Sequence, residues 1–129
     1  MHLQKLHHVA IIASDYARSK DFYTRILGLK IISETHRIER NSHKLDLALP
    51  DGTQIELFSF PSPPPRRSYP EACGLRHLAF SVTHLDREVA ELEAMGVPVE
   101  VVRLDDLTGK RFTFFADPDG LPIELYEVT

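Results

Sequence analysis

The segment Pro50-Asp51-Gly52-Thr53-Gln54-Ile55-Glu56-Leu57-Phe58 recurs as Pro118-Asp119-Gly120-Leu121-Pro122-Ile123-Glu124-Leu125-Tyr126, an offset of 68 residues between positions 50 and 118. An earlier segment, Leu6-His7-His8-Val9-Ala10-Ile11, recurs as Leu75-Arg76-His77-Leu78-Ala79-Phe80, an offset of 69 between positions 6 and 75. The chain is therefore one unit written twice, and each copy carries one matched His and one matched Glu. At 129 residues it fits a single compact domain, or two halves too small to be stable apart.

Each half reads as strand, helix and three strands. Leu6 to Ile12 is an apolar strand, and Ser14 or Asp15 is placed to cap a helix over about 15–27. That helix carries Tyr16, Tyr23, Ile26 and Leu27 as its apolar stripe, with Phe22 beside it, and Gly28 is its stop. Strands fit near 29–38, 43–49 and 53–59, with turns at Asn41-Ser42 and Pro50-Asp51-Gly52. In the second half, Leu75 to Val82 is the strand, and Thr83-x-x-Asp86 has the spacing of a capping box. Leu85, Val89, Leu92 and Met95 follow at helical spacing, Gly96 stops the helix, and strands fit near 98–104, 111–116 and 121–128. The expectation is a single domain over 1–129. Its first module spans about 5–60, its second about 75–128, and a connector runs over 60–74. Five prolines in that connector exclude a helix or sheet interior there. Its Arg66 and Arg67 read as solvated linker charges, or as holders of a small anionic substrate.

Strand side chains alternate between faces. Val9 and Ile11 oppose His8, and Leu78 and Phe80 oppose His77. Ile55 and Leu57 oppose Glu56, and Ile123 and Leu125 oppose Glu124. If the aliphatic residues pack under the helices, His8, Glu56, His77 and Glu124 share the opposite face. Solvent exposure alone does not require the same residue types at corresponding places of both copies, so the four read as a metal site. His7 matches Arg76 and has the parity of Val9, which puts it on the helix side. His2, His36, His43 and His84 have no partner in the repeat and read as surface residues. Two imidazoles and two carboxylates suit one divalent Zn, Ni, Co, Mn or Fe ion, and leave an octahedral ion open to two substrate oxygens.

The formal net charge of −4 argues against nucleic-acid and anionic-membrane partners. No apolar run approaches the roughly 18 residues of a membrane span, and the N-terminus lacks the apolar core of a secretory signal. One cysteine, Cys73, cannot form an internal disulfide, which suits the cytoplasm.

Four stretches together carry a resemblance to a known family. They are His8-Val-Ala-Ile, Asp21-Phe-Tyr-Thr-Arg-Ile-Leu-Gly28-Leu, Gly74-Leu-Arg-His77-Leu-Ala-Phe-Ser-Val and Asp117-Pro-Asp-Gly120-Leu-Pro-Ile-Glu124-Leu. The chain resembles the vicinal oxygen chelate superfamily, also called the glyoxalase, bleomycin-resistance and dioxygenase superfamily, over nearly its whole length. The resemblance implies an α+β fold in which two tandem βαβββ modules form curved mixed sheets around a metal-bearing cleft. A His, Glu, His, Glu ligand set is similar to that of bacterial glyoxalase I, the lactoylglutathione lyase. Extradiol dioxygenases and fosfomycin-modifying thiol transferases have no carboxylate at the place of Glu56, and methylmalonyl-CoA epimerases tend to carry Gln there.

What the resemblance implies is a divalent-metal-dependent lyase or isomerase acting through a chelated enediolate on a small dicarbonyl or its thiol adduct. The metal ligands would be His8, Glu56, His77 and Glu124, with nickel or zinc foremost among the ions. Glu124 would shuttle the proton, and Glu56 would stay a ligand or act on the opposite face. Where bacterial glyoxalase I carries an Arg that holds glutathione, this chain has Ile12. Thr108-Gly-Lys-Arg111 resembles the substrate-side loop of that enzyme. The alternatives are an epimerase, an Fe(II) dioxygenase or a non-catalytic ligand-sequestering protein. A homodimer is expected, because sheet edges left by two modules ask for cover, and in this superfamily ligands can come from two subunits.

Overall fold

Alternation of Ile55 and Leu57 with Glu56 makes one strand face apolar and the other polar. In the computed structural model, which describes residues 1–129, Ile55 and Leu57 are buried while Glu56 is only half-buried. The chain divides into two compact units, Met1–Pro65 and Arg66–Thr129. In the first, β1 (His8–Ala13), β2 (Lys30–Arg37), β3 (Ser42–Ala48) and β4 (Gln54–Ser59) form a sheet of order β1-β4-β3-β2. β1 lies parallel to β4 in a register that sets His8 beside Gln54 and Ala10 beside Glu56. The other two pairings are antiparallel, and one of them sets Asp46 beside Glu56. Tyr23, Leu45, Leu47 and Leu57 are fully buried and make the core of this unit.

The connection from β1 to β2 is helical. Asp15 caps α1 (Tyr16–Asp21), its Oδ1 accepting from Arg18 N at 3.1 Å. From Phe22 to Ile26 the helix widens into a π-helical turn. The wider turn departs from the single α-helix expected over 15–27, and it allows two neighbouring rings, Phe22 and Tyr23, to be buried together. Gly28 then takes φ 72°, a left-handed value that a side chain disfavours, and ends the helix as its position suggested.

The second unit repeats the plan with β5 (Leu78–Val82), α2 (Leu85–Ala94), β6 (Arg103–Leu104), β7 (Arg111–Ala116) and β8 (Pro122–Glu127). Its sheet has the order β5-β8-β7-β6, with β5 parallel to β8 and the remaining pairs antiparallel. The architecture is that of two tandem βαβββ modules.

Three expectations need correction. The Thr83-x-x-Asp86 capping box does not form. His84 is the N-cap and makes no side-chain cap bond; instead the N–H of Leu85 donates to Glu127 Oε1 at 3.2 Å, and Arg111 holds Glu127 in place. The strand expected near 98–104 shrinks to two residues, because Pro98 has no N–H and Thr113 intervenes: its buried hydroxyl donates to the Glu100 carbonyl at 2.7 Å. Arg66 is not a solvated linker charge. Its guanidinium donates to the carbonyls of Leu75 and Arg76 at 2.7 and 2.9 Å, pinning the connector to the approach of β5. No helix of the chain is long and apolar enough to cross a membrane.

Candidate metal centre

His8 opens the edge strand β1 and Glu56 lies on its central neighbour β4. Their register offsets them by two residues, since His8 stands level with Gln54. Both point to the face opposite Val9, Ile11, Ile55 and Leu57, and His8 Nε2 comes to 3.3 Å from Glu56 Oε2. The second unit builds the same relation. Leu78 is level with Ile123, so His77 is level with Pro122, again two residues short of the Glu. His77 Nε2 lies 2.9 Å from Glu124 Oε2.

These separations can be compared with metal geometry. Donors about 2.1 Å from one ion stand about 3.0 Å apart when cis in an octahedron and about 3.4 Å apart in a tetrahedron. The two pairs, at 3.3 and 2.9 Å, match that spacing, and imidazole with carboxylate is a donor set for a divalent transition metal. The four predicted donors thus come together two by two, each pair within its own unit. No group of three or more His, Cys, Asp or Glu side chains that could hold an ion is found in the single chain.

The surroundings of the two pairs differ. Glu56 has both oxygens engaged, because Lys44 Nζ lies 3.5 Å from its Oε1. Lys44 also pairs with Asp46 at 3.2 Å, and Ser33 donates to Asp46 Oδ2 at 2.7 Å. Burial pushes the Asp46 carboxyl up, but the Ser33 hydroxyl and the Lys44 ammonium outweigh it and hold the group below its ordinary value. The same pairings, with Asp46 foremost, raise Lys44 above its own. Glu124 pairs with no Lys or Arg, and its one ion-pair contact is with His77. Its neighbours are aromatic: Phe114, level with Glu124 across β7, meets the His77 ring edge-on at 5.0 Å. Tyr126, two residues along the same face, donates to Asp105 Oδ2 at 3.0 Å and bonds the Thr108 hydroxyl, which ties down loop 105–110.

Sequence reasoning missed Lys44 and Asp46, although Lys44-Leu45-Asp46-Leu47 alternates as plainly as the flanks of Glu56. It also misplaced two histidines. His7 precedes β1 and is exposed rather than packed on the helix side, with its Nδ1 2.9 Å from that of His8. His43 is no bare surface residue. It is half-buried between Tyr16 and His36, with ring centroids 4.2 and 4.1 Å away.

Known proteins share this plan. The uncharacterized protein YaeR of Escherichia coli is 62% identical over 125 residues, covering 97% of each chain. The crystal structure of a glyoxalase family protein from Enterococcus faecalis superposes with TM-score 0.91 at 50% identity, covering 98% of this chain and 100% of that one. More distant are a 2-epi-5-epi-valiolone epimerase of Actinomyces, 29% identical over 93% of this chain and 77% of that protein, and the lactoylglutathione lyase of Schizosaccharomyces pombe, 27% identical over 97% of this chain and 48% of that protein. A family model described as Glyoxalase/Bleomycin resistance protein/Dioxygenase superfamily matches residues 5–125, and with its paired modules and matched His–Glu pairs the chain belongs to that superfamily.

Proposed function

We propose that the protein is a divalent-metal-dependent lyase or isomerase of the glyoxalase I type, acting on a small dicarbonyl compound or its thiol adduct. The observation that carries this reading is the twofold occurrence of a His–Glu pair at metal-donor spacing, 3.3 Å in one unit and 2.9 Å in the other. His8, Glu56, His77 and Glu124 are the residues that would hold the ion, either within one chain or across a homodimer. Nickel or zinc is the leading candidate, with cobalt, manganese and iron following from the same donor set. A bound divalent ion supplies Lewis acidity, which makes a C–H next to paired oxygens easier to ionise.

The protein's own part is proton transfer. Glu124 takes the proton from one carbon and returns it to the neighbouring one. Its Oε2 faces His77, and its Oε1 has no cation opposite, which leaves that oxygen for the substrate. Glu56 is less suited, because Lys44 occupies its second oxygen; it is assigned as a ligand. Phe114, level with Glu124 on β7, and Phe112 beside it form an aromatic wall on this side of the carboxylate.

The test is metal analysis of the purified protein, followed by turnover of methylglyoxal with and without glutathione by the metal-loaded chain. About one ion per four-donor site is expected, with the thiol adduct isomerised to a 2-hydroxyacyl thioester, or the thiol-free hydrate isomerised to the 2-hydroxy acid. A chain that binds no ion under any loading condition refutes the proposal. The epimerase relative favours a second reading in which a proton is taken from one carbon and a solvent-derived proton is delivered to the opposite face of that carbon. Solvent-deuterium exchange at a carbon without net isomerisation of the dicarbonyl would select it. Oxygen uptake by an Fe-loaded chain would select a dioxygenase instead.

A further inference from the structure

The second unit contains a pocket of about 340 Å³ whose wall includes His77 and four arginines, Arg66, Arg67, Arg76 and Arg103. Two glutamates, Glu71 and Glu100, are the acidic members of the same wall. They pair with Arg76 at 2.9 Å and with Arg103 at 3.3 Å. Those pairs are largely exposed, the kind that contributes little and opens readily to a stronger anion. Arg66 directs its donors to neutral partners, two backbone carbonyls and the Ser68 hydroxyl. Arg67 has no acidic partner. Two guanidinium charges are therefore left uncompensated, in a chain whose formal net charge is −4. Arg103 also lies against two rings, its guanidinium carbon 5.1 Å from the Phe112 ring centre and 5.7 Å from that of Phe114. The two rings hold the guanidinium at the pocket wall, and exchange of the exposed Glu100 partner for a stronger oxyanion frees its N–H groups.

We propose that this pocket holds the phosphate of a small phosphorylated substrate whose reacting oxygens reach His77. The inference rests on the reading of His77 as part of the metal centre, and it supplies a substrate class where the sequence puts Ile12 at the place of an arginine that holds glutathione. A phosphate monoester carries close to two negative charges at neutral pH, which matches the two uncompensated guanidiniums. Planar forks recognise such an oxyanion by paired hydrogen bonds.

The experiment is calorimetric titration of inorganic phosphate into the metal-free full chain at low ionic strength, with R67A and R103A as variants. R87A serves as control, since Arg87 pairs with Glu91 on α2 outside the pocket. The wild type is expected to take up one phosphate, with affinity lowered about tenfold or more in R67A and R103A and unchanged in R87A. R103K, which keeps the charge but not the fork, should fall between wild type and R103A. Saturation that is absent in the wild type, or equal in R67A and R103A, overturns the proposal, as does malonate binding as tightly as phosphate. Metal uptake is measured separately on the same samples. A chain that binds phosphate but no metal keeps the pocket and loses the lyase; one that binds metal but no phosphate loses the pocket alone.

Discussion

Replacing Asp117 with alanine removes the carboxylate that shapes the turn leading into β8, and with it the support for the position of Glu124. Asp117 is 5% exposed. Its Oδ1 accepts from the N–H groups of Asp119 and Leu121, both at 2.9 Å. Hydrogen bonds to a charged acceptor contribute about 1.5–3 kcal/mol each, and a buried donor left alone bears the full desolvation cost. Leu121 is buried, so its N–H should cost about 2 kcal/mol; Asp119 is half-buried and water can partly replace the lost oxygen, so about 1 kcal/mol follows there. The expected loss is therefore about 3 kcal/mol. At about 4 °C per kcal/mol for a domain of this size, Tm falls by about 12 °C. Asp117→Asn is the informative partner, because a single amide oxygen at the place of Oδ1 can accept both bonds. It should cost about 1 kcal/mol, the charge-assisted part alone. Circular dichroism during urea and thermal unfolding measures both variants. A D117A loss under about 1 kcal/mol, or equal losses for D117A and D117N, would refute the reasoning. The first unit offers an internal comparison: Asp51 in the matching turn accepts from the N–H and the side chain of Thr53 in an exposed setting, so D51A should cost less than D117A.

Other outcomes are expected. E124Q should keep bound metal while lowering turnover about 10²–10⁴-fold, the usual contribution of a general base; E56Q should weaken metal retention more than it alters the rate at saturating metal, and inductively coupled plasma analysis beside steady-state assays separates the two. Thr113→Val, which removes the hydroxyl donated to the Glu100 carbonyl at a site with no exposure, should cost about 1–2 kcal/mol in chemical denaturation. The Arg111 fork, with help from the Leu85 N–H, holds Glu127 below its ordinary value of 4.5. A carboxylate lowered on folding stabilises the native state above its unfolded pKa, and that stabilisation is lost as pH falls through the folded value. Acid unfolding monitored from pH 6 downward should thus show a contribution from this group beginning near 4.5 and continuing below it. R111M should shift the acid midpoint upward; an unshifted midpoint would exclude the pair from the acid response.

Sequence carried most of the local picture, because strand alternation has period two and needs only neighbours. Val9 and Ile11 against His8, and Ile123 and Leu125 against Glu124, were assigned to faces without any tertiary information, and the burial pattern follows that assignment. What was not legible depends on residues far apart in the chain. The cap of α2 comes from Glu127, 42 positions beyond Leu85. The brevity of β6 depends on Thr113 reaching Glu100, and the anchoring of the connector depends on Arg66 reaching Leu75 and Arg76. The π-helical turn at Phe22–Ile26 reflects a need to bury two successive rings, which a helical stripe drawn at 3.6 residues per turn does not anticipate.

The repeat is also informative where it fails. Applying the offset of 68 that joins Glu56 to Glu124, Lys44 corresponds to Phe112, Asp46 to Phe114 and Phe58 to Tyr126. The buried face is preserved in character, Leu45 and Leu47 answering to Thr113 and Phe115, all of them buried. The opposite face keeps only the His and the Glu and changes nearly everything beside them. In the first unit Lys44, Asp46 and Ser33 surround the Glu with charge and hydrogen bonds. In the second, Phe112, Phe114 and Tyr126 surround it with rings, and the Arg103 guanidinium lies against two of them. If the pairs merely tied β1 to β4 and β5 to β8, either environment would serve in both units. Distinct surroundings around identical donors fit the proposed division of roles, Glu56 as a ligand beside Lys44 and Glu124 as the proton carrier with no Lys or Arg against it, and they do so at equal cover, the two side chains being 14% and 13% exposed. The exchange test follows from this division. Lys44→Met frees the second oxygen of Glu56, and in an E124Q background it should restore part of the lost turnover; no gain over E124Q alone would mean that the charge around Glu56 does not set the roles of the two carboxylates.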